Sequence, residues 1–292
     1  MRLVLAVAVT MLAGCGGLGP TDPGGQGTPQ PAGARSDPEQ RYEWSGVILE
    51  SPEHGPMLCL GMLLDSLPPQ CGDVPLTAWD WGTVDGEERL AGTIWGEYRV
   101  IGTYDGSSFR VLEVGPPDPP PAPDPADPVD TPCSEPPGGW EADDPGRTSE
   151  ADRQRATRAA SSEPDFAGLW IDHVGDPAPE DTEADPTSAE IILNVAFTED
   201  IPRHESDLRA LWGGPLCVVQ HARTEAELRS IQRDLPGGLS DLGLTVLWTD
   251  VDIVDNVVEV GVVAIDPQTR EALDDRYGPD TLRAVPALRP LA

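Results

Sequence analysis

Between Gly115 and Pro137 the chain carries eleven prolines, in runs such as Pro119-Pro120-Pro121 and in alternation with aspartate. Proline has no backbone N–H and holds φ near −65°, so neither a helix nor a central strand passes through such a stretch. It takes the extended polyproline II form, stiffened here by like charges. Whatever folds in this chain therefore folds on either side of it. The pattern predicts a small domain at residues 39–115 and a larger one at 164–292, joined by a Pro/Asp-rich linker at 116–163 in which residues 150–160 read as a fraying helix.

Before the linker, YEWSGVILES, MLCLGMLL, GTIWGEYRVIGTY and SFRVLEV are short alternating runs that read as strands, and Asp105-Gly106 is a hairpin turn between the last two. Four or five strands in about 75 residues predict a small β-barrel, OB-like in scale. After the linker, EIILNVAF reads as a buried strand, Pro202–Trp212 as a helix and PLCVVQH as a strand. Thr224-Glu225-Ala226-Glu227 is a capping box, and the helix it opens should stop at Pro236-Gly237-Gly238. LTVLWTDVDIVDNVVEVGVVAID reads as two strands meeting near Val254-Asp255, Asp266-Pro267 begins a helix through Tyr277, and TLRAVPAL closes the sheet. From Leu216 onward the order is βαββαβ, which predicts a ferredoxin-like domain with an extra leading strand and helix. The fold class expected is α+β.

The amino terminus concerns address. Arg2 is followed by an apolar run over Leu3–Leu12, too short for the roughly 20 residues that span a bilayer. Leu12-Ala13-Gly14-Cys15 matches a lipobox, and over this segment the chain resembles the bacterial lipoproteins. The resemblance implies that residues 1–14 are a signal peptide and that Cys15 is lipidated as the first residue of the mature chain. Two acyl chains at about 0.8 kcal/mol per buried CH₂ give stable anchoring. Residues 15–38, rich in Gly and Pro, read as a flexible tether. The expected partner is thus a membrane, reached through the lipid, and the expected location is its extracytoplasmic face.

Charge and cysteines fit that location. Fifty-one acidic residues against 19 basic ones, all arginine, leave a net charge of −32. Such a polyanion is repelled by nucleic acid and by anionic lipid, so neither is expected as a direct partner. Setting Cys15 aside leaves Cys59, Cys71, Cys133 and Cys217, most simply two disulfides outside the cytoplasm. Four cysteines allow three connectivities; we favour Cys59 with Cys71 and Cys133 with Cys217. Zinc competes, but no CxxC or HxH pair occurs.

VVQHARTEAELRSIQRDL, TDVDIVDNVVEVGVV and REALDDRYGPDTLRAV together resemble the pro-region module of secreted bacterial chymotrypsin-like proteases, the α-lytic protease and streptogrisin group, with Asp252, Asn256, Val258 and Val260 matching its hairpin. The resemblance implies a fold, and a tail, here ALRPLA, that in the family occupies a protease cleft. No Gly-Asp-Ser-Gly nucleophile segment is present, so no catalytic residue carries over.

Other chemistry is sparse. His54, His173, His204 and His221 lack helical zinc spacing, and nucleophile-elbow, P-loop and dinucleotide fingerprints are absent. The acidic loop Asp172–Asp185 lacks EF-hand spacing and reads as a solvated loop, with calcium the alternative. Trp79-Asp80-Trp81 places two indoles on one face if extended, as a sugar platform would, but core packing is the commoner fate of tryptophan. The expectation is a non-enzymatic binding or structural lipoprotein of the cell envelope with an unidentified partner, no catalytic residue, no metal and no cofactor. The alternative is a regulator or inhibitor of a secreted serine protease.

Overall fold

The computed structural model describes residues 40–61, 63–64, 66–119, 131–174 and 191–291. The signal, Cys15 and the tether lie outside the described residues, as do the centre of the proline stretch and most of the 172–185 loop.

The first element, β1 (Arg41–Ser51), alternates between two faces, and the strands that follow do the same. They are β2 (His54–Leu58), β3 (Val74–Thr77), β4 (Glu88–Leu90), β5 (Thr93–Tyr104) and β6 (Phe109–Gly115). Pairing runs β1-β2-β3-β6-β5 and returns to β1 along Arg41↔Thr103 to Glu50↔Ile94, so five strands close into a barrel, with β4 beside β5. All neighbours in the barrel are antiparallel except β3 and β6, which are parallel. Tyr42, Trp44 and Ile48 on β1 and Tyr98, Val100 and Tyr104 on β5 turn inward, where they meet Leu58, Val74, Leu76, Phe109 and Val111. Fully buried side chains such as Ile48 and Phe109 each contribute on the order of 1.5–3 kcal/mol.

MLCLGMLL, expected as one strand, pairs only as far as Leu58. Beyond it the chain leaves the ladder, because Cys59 is bonded to Cys71 and the Asp73 carboxylate accepts from the backbone N–H groups of Leu60 and Gly61 at 2.7 and 2.9 Å. The Asp105 turn is found as expected, its carboxylate accepting from the N–H groups of Ser107 and Ser108.

The remainder holds two copies of one element order. The first is α1 (Glu150–Ser161), β7 (Phe166–His173), β8 (Ile191–Phe197), α2 (Ile201–Arg209) and β9 (Leu216–Gln220). The second is α3 (Glu225–Ser240), β10 (Val246–Asp252), β11 (Val257–Val262), α4 (Pro267–Tyr277) and β12 (Leu282–Pro286). In each, an antiparallel hairpin is followed by a helix and a strand parallel to the second hairpin strand, giving the three-stranded sheets β7-β8-β9 and β10-β11-β12. Each copy opens on a capping box, Ser149 with Asp152 and Thr224 with Glu227. The two sheets meet through Ile253 and Val254, which pack on Ala167, Trp170 and Ala196.

The class is therefore α+β, as expected, while the strands divide differently. In place of a single sheet over residues 216–286, β9 completes the sheet of β7 and β8. The reason lies in β8, whose seven residues are all buried and so need a partner on each edge. The helix α1, expected inside the linker, packs Ala156 and Ala160 into the core formed by β8, α2 and Trp212. Gly213 anchors the segment before it: its N–H donates to Arg147 O and its carbonyl accepts from Asp144 N, an approach so close that a Cβ at 213 would collide with the Asp144 carbonyl. The helix α3 runs through Pro236 to Ser240 instead of stopping there. Burial of Leu235 and Leu239, with Gly238 under the Tyr277 hydroxyl, outweighs the proline penalty of about 3 kcal/mol.

Both ends of the proline stretch are tied down. Near its start, Asp118 N–H donates to Ser45 Oγ and the Asp118 carboxylate accepts from Arg289. Toward its end, Thr131 donates to Asp172 and accepts from the buried Asn194, and Cys133 is bonded to Cys217 on β9, with Cα atoms 5.7 Å apart. The C-terminal strand β13 (Arg289–Pro290) pairs with β1, and Val263 and fully buried Leu288 enter the barrel core. The described residues lie within one compact unit. No helix among them is long and apolar enough to cross a membrane.

Candidate functional site

The strand alternation that sends Ile48 and Tyr98 inward sends Val47, Leu49, Trp95 and Glu97 to the outer wall of the barrel. Val47 pairs with Glu97 and Leu49 with Trp95, so the four lie side by side across β1 and β5. The loop closed by Cys59 and Cys71 stands over this wall. Its base is held by Asp73 and by Cys59 N–H donating to Val47 O, and its crown by Leu64 N–H donating to Gln70 O. Between loop and wall is an open cavity of about 590 Å³.

Its lining is of two kinds. Val47, Trp95 and Pro117 form the wall, with Leu63, Leu67 and Pro69 on the loop; Asp85, Glu88 and Glu97 supply carboxylates, and none of the lining residues among the described ones is basic. Leu63, Leu64 and Leu67 are exposed, Leu67 at 76%, although nothing in the loop's own geometry calls for apolar residues there. A soluble surface avoids such a patch unless it meets something. An apolar pocket with a few convergent polar groups is the usual form of a ligand site.

Trp79 and Trp81 lie nearby but do not make a platform. Asp80 caps a single 3₁₀ turn at Trp81–Thr83, so the segment is not extended and the indoles meet edge to face, 5.2 Å apart and 86° between planes. Both pack against Tyr98 and the barrel core, and Trp81 Nε1 donates to Glu50 at 2.7 Å. Core packing, the commoner of the two readings, is what the rings do. Tyr98 has its hydroxyl buried without a partner, and burial, then Glu87 and Asp85, push its pKa up from 10.0.

The other residues singled out in the sequence find structural places. Asp252 shapes the β10–β11 turn by accepting from the N–H groups of Val254 and Asp255, and with Asp255 and Glu259 it faces Arg283. Asn256, in the left-handed region at φ 57°, accepts from Arg223 N–H and donates to Arg223 O, pinning that turn to the start of α3. Val258 and Val260 are core. The tail ALRPLA, whose counterpart in the resembled family occupies a protease cleft, is laid along β1, with Leu291 N–H donating to Arg41 O. Of the histidines, His54 and His173 lie toward the surface, His221 is stacked on Trp170, and His204 is buried against Asp165.

The groove itself was not foreseen. The signal was present: an apolar run inside a disulfide loop of this length has no core of its own to enter. No known protein family and no curated protein matches the chain.

Proposed function

We propose that the chain is an exported lipoprotein, held by Cys15 on the extracytoplasmic face of a cell membrane, whose folded part is a non-enzymatic binding module. Its ligand site is the groove between the barrel wall and the 59–71 loop. The observation that carries this reading is the groove's make-up, exposed leucines on a cross-linked loop facing an apolar wall rimmed by Asp85, Glu88 and Glu97. Export is supported by the pairing of Cys59 with Cys71 and Cys133 with Cys217, since disulfides persist in oxidising compartments. Anchorage rests on the lipobox match at Leu12–Cys15. The rim selects for a positively charged segment with apolar side chains and against polyanions.

We also take the barrel as OB-like, from its closure order and the parallel β3–β6 pair. The second reading is the regulator of a secreted serine protease, supported by the βαββαβ element order from β9 to β12 and by the work that Asp252 and Asn256 do in the hairpin. Because the tail is bound along β1, such a regulator would act through another surface.

One experiment addresses both. Wild-type, Cys15→Ser and Leu67→Asp proteins are fractionated and used as bait for detergent-solubilised envelope proteins. Wild type should sediment with membranes and Cys15→Ser should not; the principal retained protein should be lost on Leu67→Asp. Recovery of wild type in the soluble fraction rejects the anchor, and equal retention by Leu67→Asp rejects the groove. A serine protease as the retained protein favours the second reading.

A further inference from the structure

One side-chain cluster away from the groove has polar groups that its own packing leaves unreconciled. Glu163 and Asp165 lie on the turn between α1 and β7, and His204 lies in the first turn of α2. One ligand atom from each falls within 4.8 Å of the others, the one such group of three among the described residues. His204 is 2% exposed and Asp165 7%, whereas Glu163 reaches solvent. The His204 ring stacks face to face on Phe197 with centroids 3.6 Å apart, which fixes the plane in which Nε2 points. That nitrogen is 2.7 Å from Asp165 Oδ2 and 2.9 Å from Arg203 Nη2, and the same Nη2 is 3.1 Å from Glu163 Oε2.

Protons alone do not satisfy this arrangement. An imidazole nitrogen has one in-plane position, filled by a proton or by a lone pair. With the proton, Nε2 donates to Asp165 and turns an N–H against the N–H of Arg203. With the lone pair, it accepts from Arg203 and confronts an oxygen lone pair of Asp165; protonating Asp165 only claims the same lone pair twice. In each state one of the two contacts is not a hydrogen bond. Asp165 Oδ1, meanwhile, is buried with no partner. A divalent cation resolves the conflict, because it takes the lone pairs of Nε2 and both carboxylates at once.

We propose that Glu163, Asp165 and His204 form a three-ligand site for a divalent transition-metal ion of the zinc class, with Arg203 as the cation that stands in when the metal is absent. One imidazole nitrogen with two carboxylates suits zinc, whereas calcium takes oxygen ligands throughout. Tetrahedral ligation at about 2.0–2.1 Å places ligand atoms about 3.4 Å apart, so the cluster must tighten on binding. The half-exposed Glu163 side chain supplies that movement. Arg203 has somewhere to go, since Asp207 Oδ2 is already 3.5 Å from its Nη1. The bound ion would clip α2 to the turn before β7. The residues are some 40 positions apart and share no motif, which is why the sequence read alone showed no metal site here.

The test is a calorimetric titration of the full chain with Zn²⁺ alone, in millimolar Mg²⁺ to occupy the many surface carboxylates, with the visible ligand-field band of bound Co²⁺ as a second readout. One ion per chain is expected. Glu163→Gln should weaken it by about tenfold or more, and Arg203→Gln, by removing the competing cation, should tighten it by a similar factor. Both positions are solvent-accessible, so the test stands even if buried His204→Gln fails to fold. Absence of a saturable site under Mg²⁺, or a site unchanged by Glu163→Gln, overturns the proposal; failure of Arg203→Gln to tighten binding overturns the role given to Arg203.

Discussion

His221 follows β9 with its ring nearly parallel to Trp170 at 5.9 Å and its Nδ1 buried without a partner. Burial lowers its pKa from 6.5, against a smaller opposing pull from Asp252 and Asp255. A histidine depressed in the folded state takes up its proton more readily when unfolded, so its contribution to stability is whole above about pH 6.5 and falls as pH drops below that value. Urea midpoints at roughly pH 7.5 and 5.5 should therefore differ more for the wild type than for His221→Phe, which keeps the stack and removes the titration. Equal pH dependence in the two proteins would show that His221 is not strained by its burial. Nothing in the sequence around Gln220-His221-Ala222 marks this residue. Its burial arises from Trp170, 51 positions earlier. Asp266 differs: an Asp-Pro pair ahead of a helical pattern names its own role, and its carboxylate accepts from Thr269 N–H as that pattern requires.

At the scale of elements, the two αββαβ units open on Ser149-Glu150-Ala151-Asp152 and Thr224-Glu225-Ala226-Glu227. In the second, Thr224 Oγ1 accepts from Glu227 N–H while Glu227 accepts from Thr224 N–H, which holds the Glu227 carboxyl below its ordinary 4.5. Thr224→Ala should lower unfolding free energy by about 1 kcal/mol in denaturant melts, with no change in the m-value. A loss of under a few tenths would mean that water replaces the cap. The α3 box was readable because a strong apolar periodicity follows it. The α1 box was not, because the apolar residues α1 buries are only Ala156 and Ala160, beside the capping Asp152, and the rest presents arginine and acid to solvent, which looks like a frayed linker helix. Seen together the two boxes show the repeat, but the segment between β7 and β8 lengthens the first copy and disguises its period.

For the whole molecule the deciding contact is the return of the carboxyl terminus to the barrel. Leu288 is fully buried in the barrel core, Val263 joins it there, and β13 extends the sheet past β1. Leu288→Ala should cost about 2–5 kcal/mol and shift a single thermal transition seen alike by tryptophan fluorescence and far-UV dichroism. Two transitions, only one of them displaced, would show that barrel and α+β portion unfold independently. Local pattern was enough for β1, β5 and β6 of the barrel, the hairpin turns and the starts of α2, α3 and α4, because each depends on neighbours a few residues away; parity pointed to two disulfides but left three ways to pair them. Tertiary contact alone placed β9 beside β8, carried α3 through Pro236, tied both ends of the proline stretch to the folded body, and gathered Glu163, Asp165 and His204. Each of these depends on burial against residues far along the chain, and a one-dimensional pattern holds no record of which distant side chain will supply it.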